Sequence, residues 1–309
     1  MKIVYSCGPR HGAGLQVARF LEYISSSPIF KNWEVRIAGH YSYSNSLNLN
    51  WNLSSLSSKD LEFLIADLAD FKPDLVICDL EPIISKIAHQ YNFNLWYVSP
   101  VHILNGSFFP WKKTYHYTKF INAIKYINYL PKPHRYYICS PFNFLKLKPG
   151  FKQIFPYYKE NDPAINNHNL LAVSDQKRFQ DIKNITSKVI ATNNYCYDTE
   201  YHNTFNYNSA LNGKYFVSSG ESGAIMDALY HKMIPLIMPE TLDLEALINA
   251  SICQVYNLGL NCGQLELAQQ HSVNIFEKKI KATSYDQINF NSKLELLDGE
   301  IFKYGLCSF

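Results

Sequence analysis

The residues best suited to chemistry lie between Lys214 and Gly259. Tyr215-Phe216-Val217 reads as an apolar strand, followed by the small-residue turn Ser218-Ser219-Gly220-Glu221-Ser222-Gly223. A helical pattern then runs from Ala224 to His231. A turn of this kind leaves the first N–H groups of the helix unpaired and aimed at one point. Together with the helix dipole they favour a phosphate. The hydroxyls of Ser219 and Ser222 add to those amides. An ordinary strand–turn–helix crossover gives the same pattern, so the turn alone leaves both readings open. Glu221 either turns outward or meets a ligand hydroxyl. The next strand, Ile234 to Met238, stops at Pro239, and Glu240, Asp243 and Glu245 follow it. They fall at the carboxyl edge, where α/β proteins bind ligands. Carboxylates there hold ligand hydroxyls or stand as surface charges. Ser174, after the strand Leu170–Val173, is a phosphate contact or a turn residue.

The first half offers proton-transfer groups. His11 sits in the loop after the first strand, and a neutral imidazole titrates near working pH. Asp79 and Glu81 follow the third strand and are its rivals as the base, or would orient an imidazole. His40, after the second strand, is a weaker alternative. Metal chemistry has no support: the ten histidines show no ligand spacing, and the seven cysteines are scattered with no Cys-x-x-Cys pair. That cysteine usage points to reduced thiols and a cytoplasmic protein.

The elements that position these residues alternate. Lys2–Ser6, Glu34–Ala38, Asp74–Cys78 and Leu95–Val98 read as strands. Gly14–Ser25, Lys59–Ala69 and Ile83–Tyr91 read as the helices between them. The unbroken apolar run of Asp74–Cys78 suits a strand buried on both faces. The alternation pauses between Pro100 and about Pro163. It resumes at Leu170–Val173, a helix near Gln176–Asn184, Lys188–Thr192, Tyr215–Val217 and Ile234–Met238. This is an α/β chain with parallel sheets covered on both faces. Its 309 residues hold two domains, divided at 1–150 and 151–309. No run of eighteen apolar residues predicts a membrane span. The start, MKIVYSCGPRHGAG, reads as a buried strand and not as a signal peptide.

Taken together, these segments resemble the nucleotide-sugar signature of GT-B glycosyltransferases. Ser219-Gly220 opens the turn, and Asp227-Ala228-Leu229 stands where the signature has Glu-Ala-Leu. Met233-Ile234-Pro235 stands for Gly-x-Pro, and Glu245-Ala246-Leu247-Ile248-Asn249-Ala250 for Glu/Asp-Gln-x-x-Asn-Ala. Leu258-Gly259-Leu260 is similar to the Gly-Leu-Gly that follows. In the first half, Gly8-Pro9-Arg10-His11-Gly12-Ala13-Gly14 and Lys72-Pro73-Asp74-Leu75-Val76-Ile77-Cys78-Asp79-Leu80-Glu81-Pro82 resemble a subgroup of bacterial and archaeal glycosyltransferases. The likeness touches about residues 1–100 and 170–260. It departs at Ala246, where the signature has Gln, and at the placement of His11 relative to Arg19.

The resemblance implies two Rossmann-like domains whose parallel sheets face a central cleft, with the last helix crossing back to the first domain. It implies an inverting sugar transfer with a UDP-sugar donor and no further cofactor, and the helix start that offsets the leaving charge makes a metal unnecessary. Ser174, the turn Ser219–Gly223 and one of Glu240, Asp243 and Glu245 would bind that donor, with Asp227 on the ribose.

Charge suggests the acceptor. From Pro82 to Lys159 there is no Asp or Glu in 78 residues, against eleven Lys or Arg. The rest of the chain carries 18 basic and 26 acidic residues. Lys112, Lys113, Lys119 and Arg135 are the expected acceptor contacts, interleaved with aromatics such as Tyr115 and Tyr129. Such a surface attracts polyanions, and its rings stack on bases. DNA carrying a hydroxymethylated base fits, as does a lipid-linked acceptor at an anionic membrane. A non-catalytic nucleotide or nucleic-acid binder and a sugar-nucleotide epimerase remain as rivals.

Overall fold

The computed structural model describes residues 1–8, 13–40, 48–156, 171–173, 195–197, 215–239, 242–261 and 296–307. They fall into two compact units. The first comprises Met1–Ser140, Leu145–Tyr157 and Lys293–Phe309; the second comprises Pro141–Phe144 and Tyr158–Ser292.

The first unit is built on β1 (Lys2–Cys7), β2 (Glu34–Gly39), β3 (Trp51–Asn52), β4 (Leu75–Asp79), β5 (Leu95–Val98), β6 (Arg135–Cys139) and β7 (Phe151–Ile154). They form one parallel sheet in the order β3-β2-β1-β4-β5-β6-β7. Five helices connect the strands: α1 (Ala13–Ser26), α2 (Ser58–Phe71), α3 (Pro82–Gln90), the short α4 (Ile103–Gly106) and α5 (Tyr117–Tyr129). Local chemistry sets the ends of α2. The Ser57 hydroxyl accepts from the Asp60 N–H while the Asp60 carboxylate accepts from the Ser57 N–H, a reciprocal cap. At the other end Lys72 turns left-handed, with φ of 50°.

Both faces of the sheet are buried. One face packs Ile3, Tyr5, Ile77, Trp96 and Tyr137 against Val17 and Phe20 of α1. The other packs Val4, Val76, Cys78 and Tyr97 against α2 and α3 through Leu64, Leu68, Ile84 and Ile87. This explains the unbroken apolar run of β4. The four described cysteines that are free, Cys7, Cys78, Cys139 and Cys253, are all buried.

Two strands, β6 and β7, and two helices, α4 and α5, occupy the stretch where the sequence pattern pauses. Only Phe120 and Ile127 of α5 are fully buried, so its apolar stripe is thin and its period faint. Arg135–Cys139 continues the sheet beyond β5, as its Tyr-Tyr-Ile-Cys run allows.

The last described helix, α8 (Leu297–Cys307), belongs to the first unit. Leu297 and Ile301 enter the core on the α1 side. The Tyr137 hydroxyl donates to Glu300 at 2.8 Å, and the Lys152 ammonium lies 3.3 Å from the same carboxylate.

The second unit has β8 (Leu171–Val173), β9 (Tyr195–Tyr197), β10 (Tyr215–Ser218), β11 (Ile234–Ile237) and β12 (Leu260–Asn261). These are parallel in the order β12-β11-β10-β8-β9. Helices α6 (Ser222–Tyr230) and α7 (Leu244–Val255) follow β10 and β11. The expected strand at Lys188–Thr192 and helix at Gln176–Asn184 lie outside the described residues. The strand order reverses direction between β1 and β4 in the first sheet and between β8 and β10 in the second. Ligands of open α/β sheets bind outside the carboxyl ends of the strands at such points.

Candidate functional site

The turn after β10 sits at the reversal point of the second sheet. Gly220 makes it possible, with φ of +108°, a conformation closed to residues bearing a Cβ. A Cβ there would also lie 2.7 Å from Ile237 Cγ2 and 3.1 Å from Ala246 Cα. The turn therefore rests its bare backbone on β11 and α7. Asn249 fastens it: its side-chain amide donates to the Gly220 carbonyl at 2.7 Å and to the Ser222 hydroxyl at 3.1 Å. The sequence places Asn249 in the signature motif as a capping or packing residue, but its bonds to the turn are not legible there, because a tertiary bond from a later helix has no local signature.

Helix α6 starts at Ser222, and Glu245 Oε1 accepts the Ser222 N–H at 2.7 Å. The next two N–H groups, of Gly223 and Ala224, meet no acceptor among the described residues. The helix start is thus half claimed by the protein and half open to an anion. The Ser219 hydroxyl donates to the Glu221 carboxylate, so Glu221 folds back onto its own turn.

The downstream acids are placed differently from the sequence reading. Glu245 is buried against α6, and Asp243 caps α7 by accepting the Ala246 N–H at 3.1 Å. Neither stands as a surface charge. Asp227 is fully buried in α6, which removes the solvated-face alternative for it. Ser174 and Glu240 lie outside the described residues. Two further buried polar side chains share the edge, of which Asn261 had no signal in the sequence. Ser218 and Asn261 flank Ile237 in the last register row of β10, β11 and β12. Their side-chain polar atoms find no hydrogen-bond partner among the described residues.

In the first unit, the reversal point gathers Gly8, Asp79, Leu80 and Glu81. A Cβ on Gly8 would fall 2.1 Å from the Asp79 carbonyl oxygen, so the β1 loop lies directly on the end of β4. Leu80 is left-handed, with φ of 55°, a strained choice for a residue with a Cβ. Asp79 is buried at this edge. His11 lies outside the described residues.

Glu81 needs correction as a base. It caps α3, with Oε1 accepting from Ile83 N at 3.0 Å and Oε2 from Ile84 N at 2.6 Å. It is fully buried. Burial pushes its carboxyl above the usual range, while the two N–H bonds pull the other way. Both oxygens are committed to holding the helix. The signal was present in the sequence: Pro82 at a first helical position marks the residue before it as a cap. Glu81→Gln should lower stability by about 1 kcal/mol, the usual worth of a cap. Thermal unfolding measures that, and a fall in turnover beyond the loss of folded protein would restore Glu81 as a base.

His40 ends near β2, and partial burial lowers its pKa, favouring the neutral ring. His102 is a residue the sequence reading missed. It lies in the single turn Pro100–His102 after β5 and is fully buried. Its ring stacks on Tyr97 at 5.4 Å and meets the edge of Tyr136 at 5.5 Å. Neither ring nitrogen has a partner among the described residues, and burial pushes its pKa down to about 3.

The basic residues separate into two groups. Lys112, Lys113 and Lys119 are exposed on α5 and the turn before it. Arg135 is elsewhere and is corrected as an acceptor contact. It opens β6, at the amino edge of the sheet. Its guanidinium covers the Trp96 ring at 5.0 Å and donates to the Tyr137 hydroxyl at 3.3 Å. Among the described residues no cluster of His, Cys, Asp or Glu suits a metal ion, and no helix is long and apolar enough to cross a membrane.

No protein-family model and no curated protein matches the sequence. Solved structures do match the fold over nearly the whole chain. The spinosyn rhamnosyltransferase SpnG complexed with thymidine diphosphate aligns with a TM-score of 0.63 at 9% identity, over 99% of this chain and 100% of that one. The calicheamicin glycosyltransferase CalG4 aligns at 0.60 and 14% identity, over 100% and 99%. The Streptomyces sp. SF2575 glycosyltransferase SsfS6 aligns at 0.59 and 11% identity, over 99% of each chain. The chain has the fold of these enzymes, the GT-B architecture of two parallel α/β sheets.

Proposed function

We propose that this chain is a cytoplasmic glycosyltransferase that moves a sugar from a nucleoside-diphosphate donor to an acceptor hydroxyl. The observation that carries the reading is the start of α6. Gly223 and Ala224 hold open N–H groups at the reversal point of a parallel sheet, on a turn that Gly220 and Asn249 fix in place. Preorganised amides stabilise charge where it develops, at little reorganisation cost. The leaving diphosphate is such a charge, so the reading requires no metal. Ser219, Ser222 and Glu221 complete the turn, with Ser174 and Glu240 as further donor contacts, whereas the full burial of Asp227 counts against its expected contact with the ribose.

The transfer is a single inverting displacement. The acceptor oxygen attacks the anomeric carbon as the bond from that carbon to the diphosphate oxygen breaks. The acceptor proton passes to a base, with His11 and Asp79 as the candidates. The resemblance in sequence favours a UDP-sugar. A fold neighbour is described in complex with thymidine diphosphate, so both nucleotides belong in the test. The acid-free stretch from Pro82 to Lys159 favours a polyanionic acceptor, and we assign DNA bearing a hydroxymethylated base.

The experiment is release of nucleoside diphosphate from UDP- and dTDP-sugars, with and without hydroxymethylcytosine DNA. Release that depends on that DNA, with added sugar mass on the base, is expected. Donor consumption without any acceptor would instead indicate an epimerase, and binding without turnover a non-catalytic protein.

A further inference from the structure

We propose that the exposed face of α5, with the turn before it, is a docking track for single-stranded nucleic acid. The proposal rests on the acceptor reading above and names the form in which the strand arrives. Helix α5 leads from the carboxyl end of β5 towards the amino end of β6. It turns Phe120 and Ile127 inward. Lys119, Asn122, Lys125, Tyr126 and Tyr129 follow its outer side within an arc of about 120°. Thirteen residues make a track about 20 Å long, enough for a few nucleotides.

Two features give the track its chemistry. Tyr129 is 91% exposed and Tyr115, at the other end, 81%. Large rings left in water at both ends of a helix are stacking platforms in waiting. Among the described residues Lys112, Lys113 and Lys125 make no ion pair. The segment that carries them supplies no carboxylate from Pro82 to Lys159. The face therefore offers uncompensated positive charge beside flat aromatic surface, the pairing that holds unpaired strands.

The same features weigh against other partners. A duplex keeps its base faces stacked and would leave the tyrosines idle. A bilayer takes an amphipathic helix by its apolar side, but the apolar side of α5 is turned to the core. The outer arc carries hydroxyl-bearing and amide side chains, with no aliphatic residue to insert.

The test uses the full chain with fluorescein-labelled dT12, the matching duplex, and vesicles of phosphatidylserine and phosphatidylcholine. Anisotropy titrations across a salt series should show dT12 bound at least tenfold more tightly than duplex. The triple variant Lys112→Gln/Lys113→Gln/Lys125→Gln should flatten the slope of log affinity against log salt by about 2. Tyr115→Ala/Tyr129→Ala should weaken binding tenfold or more with the salt slope kept. Thermal melts establish that each variant is folded. Equal or tighter duplex binding, no salt dependence, or vesicle binding lost in the same variants while dT12 does not bind would overturn the proposal. Turnover of UDP- and dTDP-sugars on hydroxymethylcytosine DNA by the same preparations separates the two claims. Turnover without strand binding sinks the track alone, whereas strand binding without turnover supports the track and sinks the transferase reading.

Discussion

Gly220→Ala is expected to cost about 3 kcal/mol of stability and to abolish nucleoside-diphosphate binding. Two costs combine. The backbone at φ of +108° is open to glycine, and forcing a side chain there costs 1–3 kcal/mol, roughly. The new methyl also lands 2.7 Å from Ile237 Cγ2 and 3.1 Å from Ala246 Cα, and overpacking adds about 1–3 kcal/mol. Relief would require the turn to lift away from α7. That lift would stretch the Asn249 bonds to Gly220 and Ser222 and re-aim the N–H groups of Gly223 and Ala224. Chemical denaturation measures the first effect and calorimetry with UDP or dTDP the second. Wild-type affinity in a folded Gly220→Ala protein would show that the turn does not hold the diphosphate.

His102→Phe is expected to protect the protein from acid. The imidazole of His102 has an ordinary pKa of 6.5, and burial in the native state lowers it to about 3. Between those values the unfolded chain binds a proton that the folded chain refuses. Stability is therefore full above about pH 6.5 and is lost progressively as pH falls towards 3. By pH 4.5 the loss from this one residue is on the order of 2–3 kcal/mol. Phenylalanine keeps the contacts with Tyr97 and Tyr136 and has no proton to bind. It also removes two buried nitrogens that lack partners among the described residues, so stability at pH 7 should hold or rise. Denaturant midpoints at pH 7 and pH 4.5 decide the matter. The gap between them should shrink by roughly 2–3 kcal/mol in the variant, and an unchanged gap would refute the assignment.

Strands were legible where burial on both faces made the residues uniformly apolar. Leu95–Val98 keeps its bounds, and the strand read from Asp74 to Cys78 shifts by one residue to Leu75–Asp79. The helix read at Lys59–Ala69 extends to Ser58–Phe71, because the cap at Ser57 acts before the apolar period begins. By contrast α5 and β6 were missed, since a helix burying two side chains and a strand opened by Arg135 carry weak patterns. At the site, the turn itself was readable from Ser219 and Gly220. The duties of its neighbours were not. Whether a carboxylate greets a ligand or caps a helix depends on which N–H lies opposite, and Glu245 meets one that is 23 residues away. His102 is the extreme case: its seclusion arises from Tyr97 and Tyr136 on two neighbouring strands, which no local window contains.

Helix α8 has a consequence for biosynthesis. Ile301 and Glu300 complete a core whose other members are almost all made before residue 155, yet they leave the ribosome only after the entire second unit has been translated. During synthesis the first sheet waits with its α1 side unfinished and Tyr137 lacking its acceptor. Nascent chains are thus exposed to chaperones and proteases for the time needed to make some 140 further residues. Heterologous production should respond more to slowed elongation or supplied holdase than to any change on the surface of the finished protein.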